Sequence, residues 1–306
     1  MRAIDALLFG LVDYAGLFPP AAEDMSRALE NYASYLKGPD RFALGRFIVP
    51  LSRLSELEDA ARGLKIRGTR GEPWRLSALV SEDVRAAAEQ IAAFNRRYSS
   101  LPENGSVVID VVELKATRPE EIEHQQGELP KSLTAYFEIP LAGDVTPLVT
   151  TIAEVGARAK MRTGGVTPEA FPPARQIVDF MTACRRASVP FKATAGLHHP
   201  VRGDQRLTYE PDSPRGYMYG FLNVFIAAAL LYSGASEDAA LAVVQETDAA
   251  AFSFGDAAIS WEDKRVTADQ IGAARAEFAI AFGSCSFREP IDELEQLTRQ
   301  ARAINK

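Results

Sequence analysis

Only two cysteines, Cys184 and Cys285, and three histidines, His124, His198 and His199, occur in 306 residues. Two thiols make neither a disulfide framework nor a zinc site by themselves, so both are expected to be reduced. No His-x-His or His-Glu-x-x-His spacing is present, which removes the common sequence signatures of a zinc enzyme. Positive charge is also short. With 34 Lys and Arg against 41 Asp and Glu, the formal charge of −7 offers no broad field for a nucleic-acid backbone, so none is expected as a partner. The most apolar run, Phe221 to Tyr232, spans about 12 residues and contains Asn223, whereas roughly 20 are needed to cross a bilayer. It reads as a buried helix, and no membrane partner is expected. The first residues carry Asp5 and Asp13 and lack the apolar core of a secretory signal, so a cytoplasmic location is expected. There is no Walker loop, dinucleotide fingerprint, kinase motif or low-complexity tract.

What is present is an alternation. Apolar, β-branched runs of strand length are followed by helical patterns almost from end to end, the signature of parallel βα units. Eight strands are expected: Leu7 to Val12, Arg46 to Pro50, Arg75 to Val80, Ser106 to Val112, Thr134 to Ile139, Arg158 to Arg162, Phe191 to Ala195 and Ala279 to Ser284. Eight is the number that closes an α/β (β/α)8 TIM barrel, and residues 1–306 are read as one such domain. Thr267 with Gln270 and Ser286 with Glu289 have capping-box spacing at two of the helix starts. The spacing breaks once, where about 85 residues separate the seventh strand from the eighth, against roughly 30 to 40 for an ordinary unit. Residues 201–270 are therefore an insertion, with helices at Gly220 to Tyr232 and Glu237 to Gln245 and a hairpin around Gly255-Asp256. It is expected to form a lid over the barrel mouth or an interface, and an exposed Tyr217 to Phe225 face would join copies in a homo-oligomer. The clearest loops are Gly63 to Pro73 and Ser99 to Gly105.

Barrel enzymes work at the C-terminal ends of their strands. Those positions hold Asp13, Asp110, Glu113, Glu138, Lys160, Arg162, Lys192, Thr194, His198, His199, Ser284 and Cys285. Lysine is rarely buried unless paired or used. Residues i and i+2 of a strand share a face, so Lys160 points with Arg162, and Lys192 with Thr194, into one cationic pocket. A desolvated lysine beside a second cation has its pKa pushed down, leaving neutral amine to attack a carbonyl. Arg162-Thr163-Gly164-Gly165 is expected to join a strand to a helix through two glycines, whose backbone N–H groups with Arg162 would hold a carboxylate or phosphate. A single histidine, His198, is suited to acid or base work because imidazole titrates near neutrality.

Lys192-Ala193-Thr194-Ala195-Gly196 resembles the Lys-Thr-Ser-Thr-Gly strand of deoxyribose-phosphate aldolases, class I barrel enzymes that form an imine on that lysine. The resemblance implies Lys192 as nucleophile, Lys160 as the lysine that tunes it and Asp110 as the proton-relay carboxylate. In that family the second lysine follows the imine strand, whereas Lys160 precedes it.

The sequence thus points to an enzyme acting on a small anionic carbonyl compound, as a carbon–carbon lyase or an isomerase with an active-site lysine. Lys192, Lys160, Glu138, Asp110 and His198 are the catalytic candidates; Arg162, Gly164, Gly165, Thr194, His199 and Ser284 are the substrate-binding ones. No cofactor is required by this chemistry. The alternative is an enolase-type lyase or isomerase using a divalent metal held by Asp110, Glu138 and a histidine. A third reading is a non-catalytic barrel that binds a metabolite or a protein.

Overall fold

The computed structural model of the chain describes residues 1–64, 73–81, 83–98 and 106–304. In chain order its strands are β1 (Val12–Tyr14), β2 (Leu44–Pro50), β3 (Trp74–Leu79), β4 (Val107–Lys115), β5 (Thr134–Glu138), β6 (Arg158–Arg162), β7 (Phe191–Thr194), β8 (Gly203–Arg206), β9 (Arg215–Met218), β10 (Phe252–Phe254), β11 (Ala258–Trp261), β12 (Lys264–Thr267) and β13 (Ala279–Ser284). The helices are α1 (Ala3–Leu8), α2 (Met25–Tyr35), α3 (Leu54–Leu64), α4 (Val84–Tyr98), α5 (Pro119–Gly127), α6 (Thr146–Glu154), α7 (Ala174–Arg186), α8 (Phe221–Tyr232), α9 (Glu237–Gln245), α10 (Ala268–Glu277) and α11 (Arg288–Ile304).

Strands β1 to β7 and β13 close a barrel in the order β1-β13-β7-β6-β5-β4-β3-β2, and every neighbouring pair is parallel. The expected TIM barrel with an insertion before its last strand is the observed fold. Alternation along each strand sorts the side chains. Phe191 and Ala193 of β7 face the helices, where Phe191 meets Phe180 and Phe278 edge to face, while Lys192 turns into the barrel. Among the described residues no helix is long and apolar enough to cross a membrane.

The first expected strand is displaced. Ala3 to Leu8 form α1, whose buried Ala3, Ala6 and Leu7 have i, i+3, i+4 spacing, and the strand begins only at Val12. Buried Arg275 of α10 donates to the carbonyls of Leu7, Phe9, Ala279 and Ile280, fastening α1 to the start of β13. The capping box at Thr267 and Gln270 is present, and Glu289 N–H donates to Ser286 Oγ. The loops read at 63–73 and 99–105 fall almost wholly outside the described residues, α3 running to Leu64.

The insertion contains α8 and α9 as expected, with Phe221 and Phe225 of α8 packed on Phe282 of β13. Its small sheet has three strands, β10-β11-β12, one more than a hairpin. This sheet abuts the chain's start: Ala3 N–H donates to Asp256 O at 2.8 Å. A second hairpin, β8 with β9, was not legible, because Gly203–Arg206 and Arg215–Met218 carry no apolar alternation.

Candidate active site

Two lysines sit level in the barrel wall, since Lys160 of β6 is the register partner of Lys192 of β7. Their side chains are 3% and 1% exposed, so each ammonium needs partners. Lys192 Nζ lies 2.6 Å from Asp13 Oδ2 and 2.7 Å from Glu113 Oε1. Lys160 Nζ lies 2.8 Å from Glu113 Oε2 and 2.7 Å from Glu138 Oε2. Ser77 Oγ–H donates to Glu113 Oε1 at 2.7 Å, and the Tyr136 ring lies 5.5 Å from Lys192 Nζ. Gly45 leaves room for this arrangement: a Cβ there would sit 2.3 Å from Asp13 Oδ1, the oxygen that accepts Arg46 N–H at 2.7 Å.

The electrostatics oppose a neutral amine at Lys192. Burial alone would lower its pKa, but the charges and hydrogen bonds of Asp13 and Glu113 outweigh it, and the pKa is raised. Burial likewise favours protonated Glu113, yet Lys160 and Lys192 hold that carboxyl well below the usual range. Glu138 is lowered in the same way, burial being overcome by Lys160 and then Arg162. At Lys192 the expected depression by a neighbouring cation does not occur, because Asp13 and Glu113 stand beside its ammonium group.

Asp110 is not among these contacts. It is the extra residue of a bulge, Leu76 pairing with Ile109 and Ser77 with Val111, and it binds Arg46 at 2.7 Å and Arg75 at 2.9 Å. The expected metal set of Asp110, Glu138 and a histidine is therefore not assembled, each member being paired elsewhere. Gly164 and Gly165 do not open an α-helix; the chain passes through a 3-10 turn, Pro168–Ala170, before α7. Gly164 is required by packing instead, since a Cβ would lie 2.4 Å from Phe171 Cε1. Thr194 Oγ1 faces Gly283 across the β7 and β13 pair. Ser284 Oγ accepts Ser286 N–H at 3.3 Å, a turn contact.

A second cluster forms where β7 and β13 end. Ala195 and Gly196 have φ of 63° and 73°, a left-handed turn that is costly for alanine and is fastened by Thr163 Oγ1–H donating to Ala195 O at 2.5 Å. It carries the chain to His198 and His199. His198 Nδ1 is 2.8 Å from Glu289 Oε2, and its Nε2 is 3.8 Å from Cys285 Sγ. Burial disfavours the charged His198 ring, but contacts with Cys285 and Glu289 prevail and its pKa is pushed up to about 10. Tyr209, in the loop joining β8 to β9, donates its hydroxyl to Glu289 Oε2 at 3.2 Å. His199 Nδ1 meets Glu293 at 2.8 Å.

His199, Glu289 and Glu293 each bring one donor atom within 4.8 Å of the others. One imidazole and two carboxylates are nitrogen and oxygen donors that suit a divalent ion such as zinc or manganese. Glu289 and Glu293 are one helical turn apart on α11, a spacing visible in the sequence once His199 is known to face that helix.

A cavity of about 460 Å³ opens at the ends of β4, β5 and β6. Lys115, Glu138 and Arg162 line it with Ile139, Leu141 and Phe171. Arg162, 48% exposed, gives its Nε–H to Glu138 Oε1 at 3.1 Å. Phe171, in the cavity wall, also packs on the turn that leads to the histidines, because a Cβ on Gly196 would lie 2.9 Å from its Cε1.

No protein-family model and no curated protein matches the chain. Among solved structures, nitroalkane oxidase from Streptomyces ansochromogenes aligns over 99% of this chain and 100% of its own, at 13% identity and a TM-score of 0.36. A likeness of that size carries neither activity nor substrate across, and the barrel assignment rests on the closed sheet itself.

Proposed function

We propose that the chain is a metal-assisted lyase or isomerase that shifts a proton next to the carbonyl group of a small molecule. The observation that carries this reading is the His199, Glu289 and Glu293 set, placed at the strand ends where barrel enzymes perform their chemistry. A divalent cation held there would polarise a substrate oxygen as a Lewis acid. Glu138, ionised and lining the neighbouring cavity, is the proton acceptor in this scheme, with Lys160 holding its carboxylate in place. His198, held by Glu289 through Nδ1, is the donor that returns a proton to the product. Lys192 contributes fixed positive charge deep in the barrel. The β8 and β9 hairpin is the part of the insertion that serves as a lid, with Tyr209 as its contact to Glu289.

The imine mechanism implied by the aldolase resemblance asks for a neutral lysine. Lys192, clasped by Asp13 and Glu113, is held as an ammonium, and this favours the metal reading over it.

Solvent exchange tests the proposal. In deuterated buffer with Mn²⁺, zinc or Mg²⁺, mass spectrometry should find deuterium entering a carbon beside the carbonyl of members of a 2-oxo acid panel. Exchange should vanish with chelator and with His199→Ala, and should be lost in Glu138→Gln while metal binding persists. Exchange that survives both chelator and His199→Ala would remove the metal from the mechanism.

A further inference from the structure

The cavity at the ends of β4, β5 and β6 has two kinds of wall. Ile139, Leu141 and Phe171 are apolar, and Pro140, Pro172 and Pro173 continue that surface. Against them stand the cations Lys115 and Arg162. Arg162 commits only its Nε edge, to Glu138, and among the described residues its terminal Nη groups have no acceptor. Lys115, exposed at the last position of β4, has no carboxylate partner among them either. Glu138 and Glu169 also border the space; Glu138 is already held by Lys160 behind it and by Arg162 Nε, which leaves Lys115 and the Nη edge of Arg162 as the cations open to a ligand. The volume of about 460 Å³ lies in the range of small-molecule sites.

We infer that this cavity binds the carboxylate of a small hydrophobic acid, with Lys115 and the free edge of Arg162 on the carboxylate and Phe171 against the hydrocarbon body. The inference rests on the proton-shift reading for its reaction and names that reading's substrate class. A planar carboxylate matches the paired Nη–H donors of a guanidinium. A phosphate dianion fits less well, because the glycine segment offers no helix N-terminus: Ala170 N–H donates to Thr167 O and Phe171 N–H to Pro168 O. Phe171 is fixed between Gly164 and Gly196, since a Cβ on either would lie within 3 Å of its Cε1. The apolar wall is thus rigid, and it selects for a side chain on the acid.

Calorimetry on the full chain in EDTA isolates this subsite from any metal. The probes are 4-methyl-2-oxopentanoate, its amide, pyruvate and inorganic phosphate. The branched acid should bind at least about tenfold more tightly than each of the others, a difference of about 1.4 kcal/mol. Arg162→Gln should erase that binding and Arg162→Lys should restore part of it, with circular dichroism unchanged. Phe171→Leu should narrow the preference over pyruvate without weakening pyruvate itself. Equal binding of the amide, tighter binding of phosphate, or indifference to Arg162→Gln would overturn the proposal. His199→Ala should leave acid binding intact while abolishing Mn²⁺ binding. Loss of the metal result alone would therefore count against the proton-shift reading and not against this subsite.

Discussion

Lys160 and Lys192 are register partners on neighbouring strands, yet one carboxylate joins them: Glu113 gives Oε2 to the first at 2.8 Å and Oε1 to the second at 2.7 Å. The bridge converts two like charges that would repel into a chain of alternating sign that runs from Asp13 to Glu138.

Removing the central charge should be costly. Glu113→Gln leaves two ammonium groups in the barrel with one carboxylate each, and breaking a buried ion pair from one side costs about 3–5 kcal/mol. Urea unfolding of the variant should show a loss of that order. A change below about 1 kcal/mol, the size expected of a surface pair, would mean that water reaches the chain of charges.

The same contacts fix the pH profile of stability. Glu113 has a folded pKa below its unfolded value, so its contribution is present above about 4.5 and is lost as pH falls through the folded value. Lys192 has a folded pKa above its unfolded value, so its contribution is complete below about 10.4 and is lost as pH rises through the folded value. Thermal unfolding should therefore find these contributions constant between about pH 5 and 10 and declining on either side. A maximum confined near neutrality would point to titration elsewhere.

Much of this is legible in the sequence, and the reasons differ by element. Seven strands announced themselves because both their faces are buried, one by helices and one by the barrel interior. The eighth, β1, is three residues long and lies behind an apolar helix whose residues mimic a strand. Lys160 and Lys192 stood out because alternation placed them inside. Their carboxylates are also among the strand-end residues, but sequence spacing says nothing of which acid meets which base across a barrel, and it is Asp13 and Glu113 that raise the Lys192 pKa where a second cation alone would lower it. Glu289 and Glu293 were hidden on a helix rich in charge, where only the fold shows which turn faces His199. The β8 and β9 hairpin is polar on both faces and so left no periodic trace.

Lysine trapping separates the two chemistries. Borohydride added with pyruvate at pH 7 should leave Lys192 unmodified in peptide maps, because its amine is held charged by Asp13 and Glu113. Asp13→Asn removes one of those anions and should raise labelling from this baseline. Preferential trapping of Lys192 in the unaltered chain would restore the imine mechanism.

Titration calorimetry with Mn²⁺ and with zinc tests whether His199, Glu289 and Glu293 bind a cation. One ion should bind per chain, with affinity reduced about 10- to 100-fold or more in His199→Ala and Glu293→Gln, as is typical when even a supporting partner of a metal site is lost. Absence of binding, or binding unchanged in the His199→Ala, Glu293→Gln double variant, would contradict it.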